Sequence, residues 1–204
     1  MSVTLFGAAR TRAYRCQWLA EEIGLDYEIV EIGAEAAAAH PALGAVTPFG
    51  KVPALLDGEL ALWESYAINH YLARRYGGTL GPQDLAEEGL MLSWAFLAAT
   101  ALEPAAEVVF LNGFWAPEEE RDAARIAPAM QALERPLAAL EAHLERAGHL
   151  VGERFTVADV DLVSVLGWVA VGGGDLAPYP STVAWLARCG GRPAARRVLA
   201  RLGL

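Results

Sequence analysis

Pro48-Phe49-Gly50-Lys51-Val52-Pro53-Ala54-Leu55 is the stretch that decides the fold, with Glu64-Ser65 beginning eleven residues after Pro53. Pro53 follows a β-branched residue and precedes the apolar run Ala54-Leu55-Leu56. It has no N–H to give to a strand ladder, so it marks a tight X-Pro bond open to the cis form. A cis bond there turns backbone polar groups outward, where an extended ligand pairs with the Val52 N–H and C=O. Glu64 and Ser65 stand at the start of an amphipathic stretch, where the first helical amides lack partners. That end attracts a carboxylate and offers it a hydroxyl. The residues alone predict a binding edge for a small anionic peptide.

The flanking segments extend this edge into a domain. Val3-Thr4-Leu5-Phe6 is a β-type run ended by Gly7, and Thr11 to Ile23 carries helical periodicity through Tyr14, Trp18, Leu19 and Ile23, stopping at Gly24. Tyr27 to Ile32 alternates as a second strand, and Ala34 to Leu43 reads as a weak helix or loop. Val52 to Leu56 and Leu60 to Trp63 flank Asp57-Gly58, a hairpin signal, and Ser65 to Tyr76 is a helix closed by Gly77-Gly78. The order β-α-β-α-β-β-α is thioredoxin-like. Thr79 to Asp84 is a short connector, after which every periodic segment is helical: Leu85 to Phe114, Pro117 to Ala147, Thr156 to Val171, Pro180 to Cys189 and Pro193 to Leu202. The expected organisation is α/β plus all-α, a thioredoxin-like domain over residues 1–79 and an all-helical domain over 85–204. Thr156-Val157-Ala158-Asp159 is a capping-box variant whose work is structural.

Composition limits the partners. With 54% hydrophobic and 20% charged residues in 204, buried cores are expected. A net charge of −9 argues against nucleic acid or an anionic membrane, since phosphate binding needs clustered cations. Arg192, Arg196, Arg197 and Arg201 form the basic cluster, read as a solvated helical face. Two cysteines, Cys16 and Cys189, and the lack of a secretory h-region after Met1 make a reducing cytoplasm the expected compartment. No membrane span is expected. Val157 to Val171, interrupted by Asp159, Asp161 and Ser164, reads as a buried helix. No metal is expected.

The motif around Pro53 and the segment Glu64-Ser65-Tyr66-Ala67-Ile68-Asn69-His70-Tyr71-Leu72 resemble the N-P-x-G-x-V-P and E-S-x-A-I-x-x-Y-L segments of the glutathione transferase family. Leu150 to Asp159, with its glycine, capping threonine and aspartate, is similar to the signature of that family's helical domain. The resemblance spans nearly the whole chain and is to a cytosolic, bacterial-type member. It implies glutathione as cosubstrate: Glu64 and Ser65 for the γ-glutamyl carboxylate and amine, the Val52 backbone and cis Pro53 for the cysteinyl unit, and Lys51 for the glycyl carboxylate. His40 is a further candidate, displaced by about two residues from the histidine of some plant members. It also implies a hydrophobic electrophile held by Phe110, Phe114 and Trp115, near the bend at Asn112-Gly113 and Pro117, and a homodimer into which Phe49 inserts.

Conjugation needs a thiol with its pKa lowered from about 8.5 toward neutrality. A hydroxyl donor near a helix N-terminus favours the thiolate. Thr11, four residues past Gly7, stands where serine-type members of the resembled family carry their serine, and it also suits the N-cap of the first helix. Tyr14 and Arg12 are the alternates. Ala8-Ala9-Arg10-Thr11 holds no cysteine, which disfavours the mixed-disulfide branches and the maleylacetoacetate isomerase branch. The expected activity is transfer of the glutathione thiolate to hydrophobic electrophiles, a detoxifying reaction. A noncatalytic binding or assembly module on the same fold, or a glutathione-dependent peroxidase or disulfide reductase, are the competing readings.

Overall fold

A computed structural model of the chain describes residues 3–203. The chain divides into two compact units, one of residues up to Pro82 with those from Gly191 onward, the other Gln83–Gly190. The pattern of periodic segments puts residues 85–204 in one helical domain; by packing, the last helix belongs with the first unit.

In the first unit β1 (Val3–Phe6), β2 (Tyr27–Val30), β3 (Ala54–Asp57) and β4 (Leu60–Trp63) form one sheet in the order β2-β1-β3-β4. β1 and β2 run parallel and are joined through α1 (Ala13–Ile23), while β1–β3 and β3–β4 are antiparallel. Asp57 pairs with Leu60 across a two-residue loop. The first loop residue, Gly58, has φ +61, a conformation that costs glycine nothing. Period-two alternation divides the sheet between two cores. Leu5 and Leu55 lie opposite each other and are fully buried, as are Leu19 of α1 and Ile68 and Leu72 of α4 (Ser65–Tyr76). Phe6 and Ala54 pack with Ile32, Ala37, Leu43 and Val46, so the ambiguous segment 34–44 is two short helices, α2 (Ala34–Ala37) and α3 (Pro41–Gly44), laid over that core.

The last helix, α10 (Pro193–Leu202), packs on α1; Arg196 faces solvent, as read from the sequence, while the other three arginines of the cluster are partly exposed and also reach back to α1. Arg192 binds Glu22 through two nitrogens at 2.9 and 2.8 Å, Arg197 bonds Glu21 at 2.9 Å, and Arg201 bonds Glu21 at 2.7 Å and Gln17 at 3.3 Å.

The second unit opens on α5 (Leu85–Leu97), whose N-cap Asp84 accepts from the Glu87 amide at 2.8 Å. Its continuation is widened into a π turn at Ala98–Leu102, directly before α6 (Glu103–Phe110). Pro104 has no N–H for the carbonyl four residues back, and the wider turn accommodates it. A second π turn, Leu111–Trp115, ends the run. There a Cβ on Gly113 would fall 1.9 Å from the Gly172 carbonyl oxygen, so only glycine permits this approach. By length and composition Leu85–Trp115 is apolar enough to cross a membrane. It packs instead against α7 (Ile126–Leu144) and α8 (Val157–Val171), with Glu103 buried and Glu87 paired to Arg154.

The expected helix over 117–147 begins only at Ile126; Pro117 is extended, and short 3₁₀ turns at Glu118–Glu120 and Ala123–Arg125 precede it. α8 is buried along most of its length, as expected, and the capping box forms: Asp159 accepts from the Thr156 amide at 2.9 Å. Glu141 of α7 caps α9 (Pro180–Gly190), accepting from the Ser181 and Thr182 amides, each at 2.8 Å.

Candidate active site

The loop after β1 wraps the start of α1. Gly7 and Ala8 donate to Val30 and Ile32 carbonyls, each at 2.9 Å. Thr11 donates its hydroxyl to the Ala8 carbonyl at 2.7 Å and accepts from the Ala13 amide at 3.2 Å. Arg12, not Thr11, is the N-cap of α1; Thr11 closes the turn before it. Gly7 has φ +134, and a Cβ there would stand 2.7 Å from Ala13 Cβ, 3.1 Å from Val52 Cβ and 3.3 Å from Thr11 Oγ1. Thr11 and Val52 therefore converge on one glycine. Val52-Pro53 is cis, as the sequence allowed. Thr47 Oγ1 accepts from the Phe49 amide at 3.3 Å and closes the turn in front of it.

Further along α1, Arg15 is fully buried and donates to Ser65 Oγ at 3.4 Å, and Cys16 donates to the Ser65 carbonyl at 3.6 Å. The Arg15 guanidinium lies 4.8 Å from the Tyr66 ring centroid, and Asn69 donates to the Arg15 carbonyl at 3.4 Å. Because Arg15 only donates, Ser65 Oγ accepts from it and its own proton is available to an acceptor such as a carboxylate. Glu64, the N-cap of α4, is held at φ +68, rare for a residue with a side chain. The far end of α4 is tied to the hairpin: the Tyr71 and Tyr76 hydroxyls donate to Asp57 Oδ2 at 2.7 and 2.6 Å. Burial, then the bond to Asp57, push the Tyr71 phenol up to about 12, so it stays a donor.

Of the other expected residues, Lys51 is exposed and takes no ion pair among the described residues, and Tyr14 is buried. His40 is the N-cap of α3, with Nδ1 enclosed and without a hydrogen-bond partner among the described residues. In the helical unit, Phe110 is packed 5.2 Å from Trp115 and 5.9 Å from Phe114, measured between ring centroids, and stacks on Trp168 at 5.6 Å. Phe110 is core, while Phe114 remains 40% exposed.

Arg15, Asn69 and Trp168 have no local sequence signal, since the role of each depends on a partner on another element. Three metal-ligand types, His149, Asp159 and Cys189, lie within 4.8 Å of one another in the helical unit. Asp159 Oδ1 is occupied there by Trp185 Nε1 at 2.8 Å, His149 Nδ1 at 3.2 Å and the Leu150 amide at 3.3 Å, a structural knot.

The glutathione S-transferase N-terminal domain profile matches residues 1–74, and the C-terminal domain profile matches 96–193. The chain is 33% identical over 199 residues to a probable glutathione S-transferase, GSTF2, of Oryza sativa subsp. japonica, covering 90% of this chain and 89% of that one. The chain belongs to the glutathione S-transferase family. It is also 31% identical over 205 residues to the glutathione S-transferase GstB of Escherichia coli strain K12, covering 97% of each. Among solved structures, a theta class glutathione S-transferase from Xanthomonas axonopodis pv. citri with glutathione bound superposes with a TM-score of 0.87 at 35% identity, covering 96% of both chains. A glutathione S-transferase-I bound with lactoylglutathione gives 0.88 at 31% identity, covering 98% of this transferase and 100% of that chain.

Proposed function

We propose that this transferase binds glutathione along Val52-Pro53 and the Glu64-Ser65 helix start, and transfers its thiolate to hydrophobic electrophiles. The observation that carries this reading is the convergence of the Thr11 loop, the cis Val52-Pro53 bond and Ser65 around the first two turns of α1. Ser65 and the α4 amides take the γ-glutamyl carboxylate, and Glu64 takes its amine. The Val52 backbone pairs with the cysteinyl unit, and Lys51 with His40 serves the glycyl end. Thr11 is the activating donor. Its proton swings from the Ala8 carbonyl toward the sulfur, a rotation about the C–O bond that leaves its oxygen accepting from Ala13. The exposed ring of Phe114, with Trp115, offers apolar surface for the electrophile. Phe49, 62% exposed beside Trp63, supports a homodimer. Two buried cysteines that form no disulfide fit work in a reducing cytoplasm, where such an enzyme removes reactive compounds.

The test is the ultraviolet thiolate absorbance of bound glutathione against pH, for the native protein and Thr11→Ala. A hydrogen bond to a charged group is worth about 1.5–3 kcal/mol, so Thr11→Ala is expected to raise the thiol pKa by about 1–2 units. The engaged Thr11 proton also keeps a binding-module reading alive, and that reading holds if glutathione binds with an unshifted thiol.

A further inference from the structure

We propose that Gln17 and Arg201 are positioning residues for the Gly7–Thr11 loop, so that the last helix of the chain holds the thiol-activating turn in place. The role assigned to the loop rests on the function proposed above.

Gln17 is fully buried on α1 and its Nε2 donates to the Gly7 carbonyl at 3.1 Å, while its Oε1 accepts from Arg201 Nη1 at 3.3 Å. A guanidinium has donors only, so Arg201 fixes the direction of the amide: the oxygen faces α10 and the nitrogen faces the loop. Polarised by the cation, the amide is a stronger donor to Gly7.

Gly7 is the residue in the loop with most backbone freedom, at φ +134. Its peptide plane is held from both sides, the carbonyl by Gln17 and the following N–H by the Ile32 carbonyl at 2.9 Å. The next carbonyl, Ala8, is the one that accepts the Thr11 hydroxyl. Turning the Gly7–Ala8 peptide would leave the Gly7 carbonyl buried without its donor and displace the acceptor that orients Thr11. Arg201 is itself seated by Glu21, which Arg197 also binds, while Arg192 and Trp18 hold Glu22 one residue on. The order of contacts runs from α10 to Gln17, to Gly7, to Thr11.

Amide hydrogen exchange on the full chain tests this directly in Arg201→Met, Arg201→Lys and Gln17→Leu. Arg197→Met is the control, since it weakens the same helix docking without touching Gln17. Exchange of the Ala8, Thr11 and Ala13 amides is expected to rise about ten-fold in Arg201→Met and Gln17→Leu, to return most of the way in Arg201→Lys, and to stay at the native rate in Arg197→Met. In the same variants the thiol pKa of bound glutathione should rise and kcat fall roughly five-fold, more than KM rises. Equal exchange in Arg201→Met and the native protein overturns the proposal, as does an equal rise in Arg197→Met, which would mean that only helix docking matters. If Gln17→Leu does not fold, the Arg201 pair decides alone. A native complex with an unshifted thiol, combined with faster loop exchange in Arg201→Met, overturns the role of Thr11 and leaves the positioning role standing.

Discussion

Gly7 is the residue on which the loop after β1, the cis-proline segment and the start of α1 meet. Gly7→Ala would set a methyl group 2.7 Å from Ala13 Cβ at φ +134, where side chains are strained. We expect a loss of about 2 kcal/mol or more in urea unfolding together with weaker glutathione binding by calorimetry. Arg15 teaches a different lesson. It is a fully buried charge in a run that reads as a core-facing helix, and its value lies in its contact with Ser65, fifty residues away. Periodicity reports which face of a helix is apolar, and it is silent about a cation whose contact lies on another element. The cis bond at Val52-Pro53 and the helix start at Glu64-Ser65 were legible, because their signals are local: a proline before a strand and a polar pair at a helix start. Arg15, Gln17 and Asn69 were not, because their partners are remote.

At the scale of elements, capping and pairing decide more than propensity. Thr156→Ala removes half of the box that starts α8 and should cost about 1–2 kcal/mol in urea unfolding, without moving the thiol pKa of bound glutathione. The first turn of α5 is pinned to the turn before α8 by Arg154, which reaches both oxygens of Glu87 at 2.8 and 2.5 Å. These bonds, then the Gln83 amide, hold the Glu87 carboxyl well below its usual value, at about 2. A carboxylate whose pKa is lowered on folding stabilises the native state above the unfolded value, near 4.5, and loses that contribution as pH falls toward 2. Comparing the native protein with Glu87→Gln by thermal melting, the gap in melting temperature should be full above pH 5 and close on acidification through this window. Helix boundaries were read less well than helix existence. The run to Trp115 hid two π turns, and the segment after Pro117 holds only 3₁₀ turns before Ile126, neither of which has a periodic signature.

For the whole molecule, the assembly prediction is that light scattering gives twice the mass of one chain, and that Phe49→Ala shifts the protein toward the monomer. The arginines from 192 to 201 show why the organisation was only partly legible: Arg192 and Glu22 are 170 residues apart, and no window of sequence pairs them. That pairing also makes the helical unit an insertion within the first one, since the sheet-bearing unit is completed by residues from both sides of it. During synthesis, the sheet, α1 and the whole run of helices leave the ribosome before α10 does. The helical unit can finish folding while the older unit still waits for its last piece. Glutathione binding should therefore appear only after release of nearly the full chain, and stalled nascent chains ending near Gly190 should hold the sheet loosely.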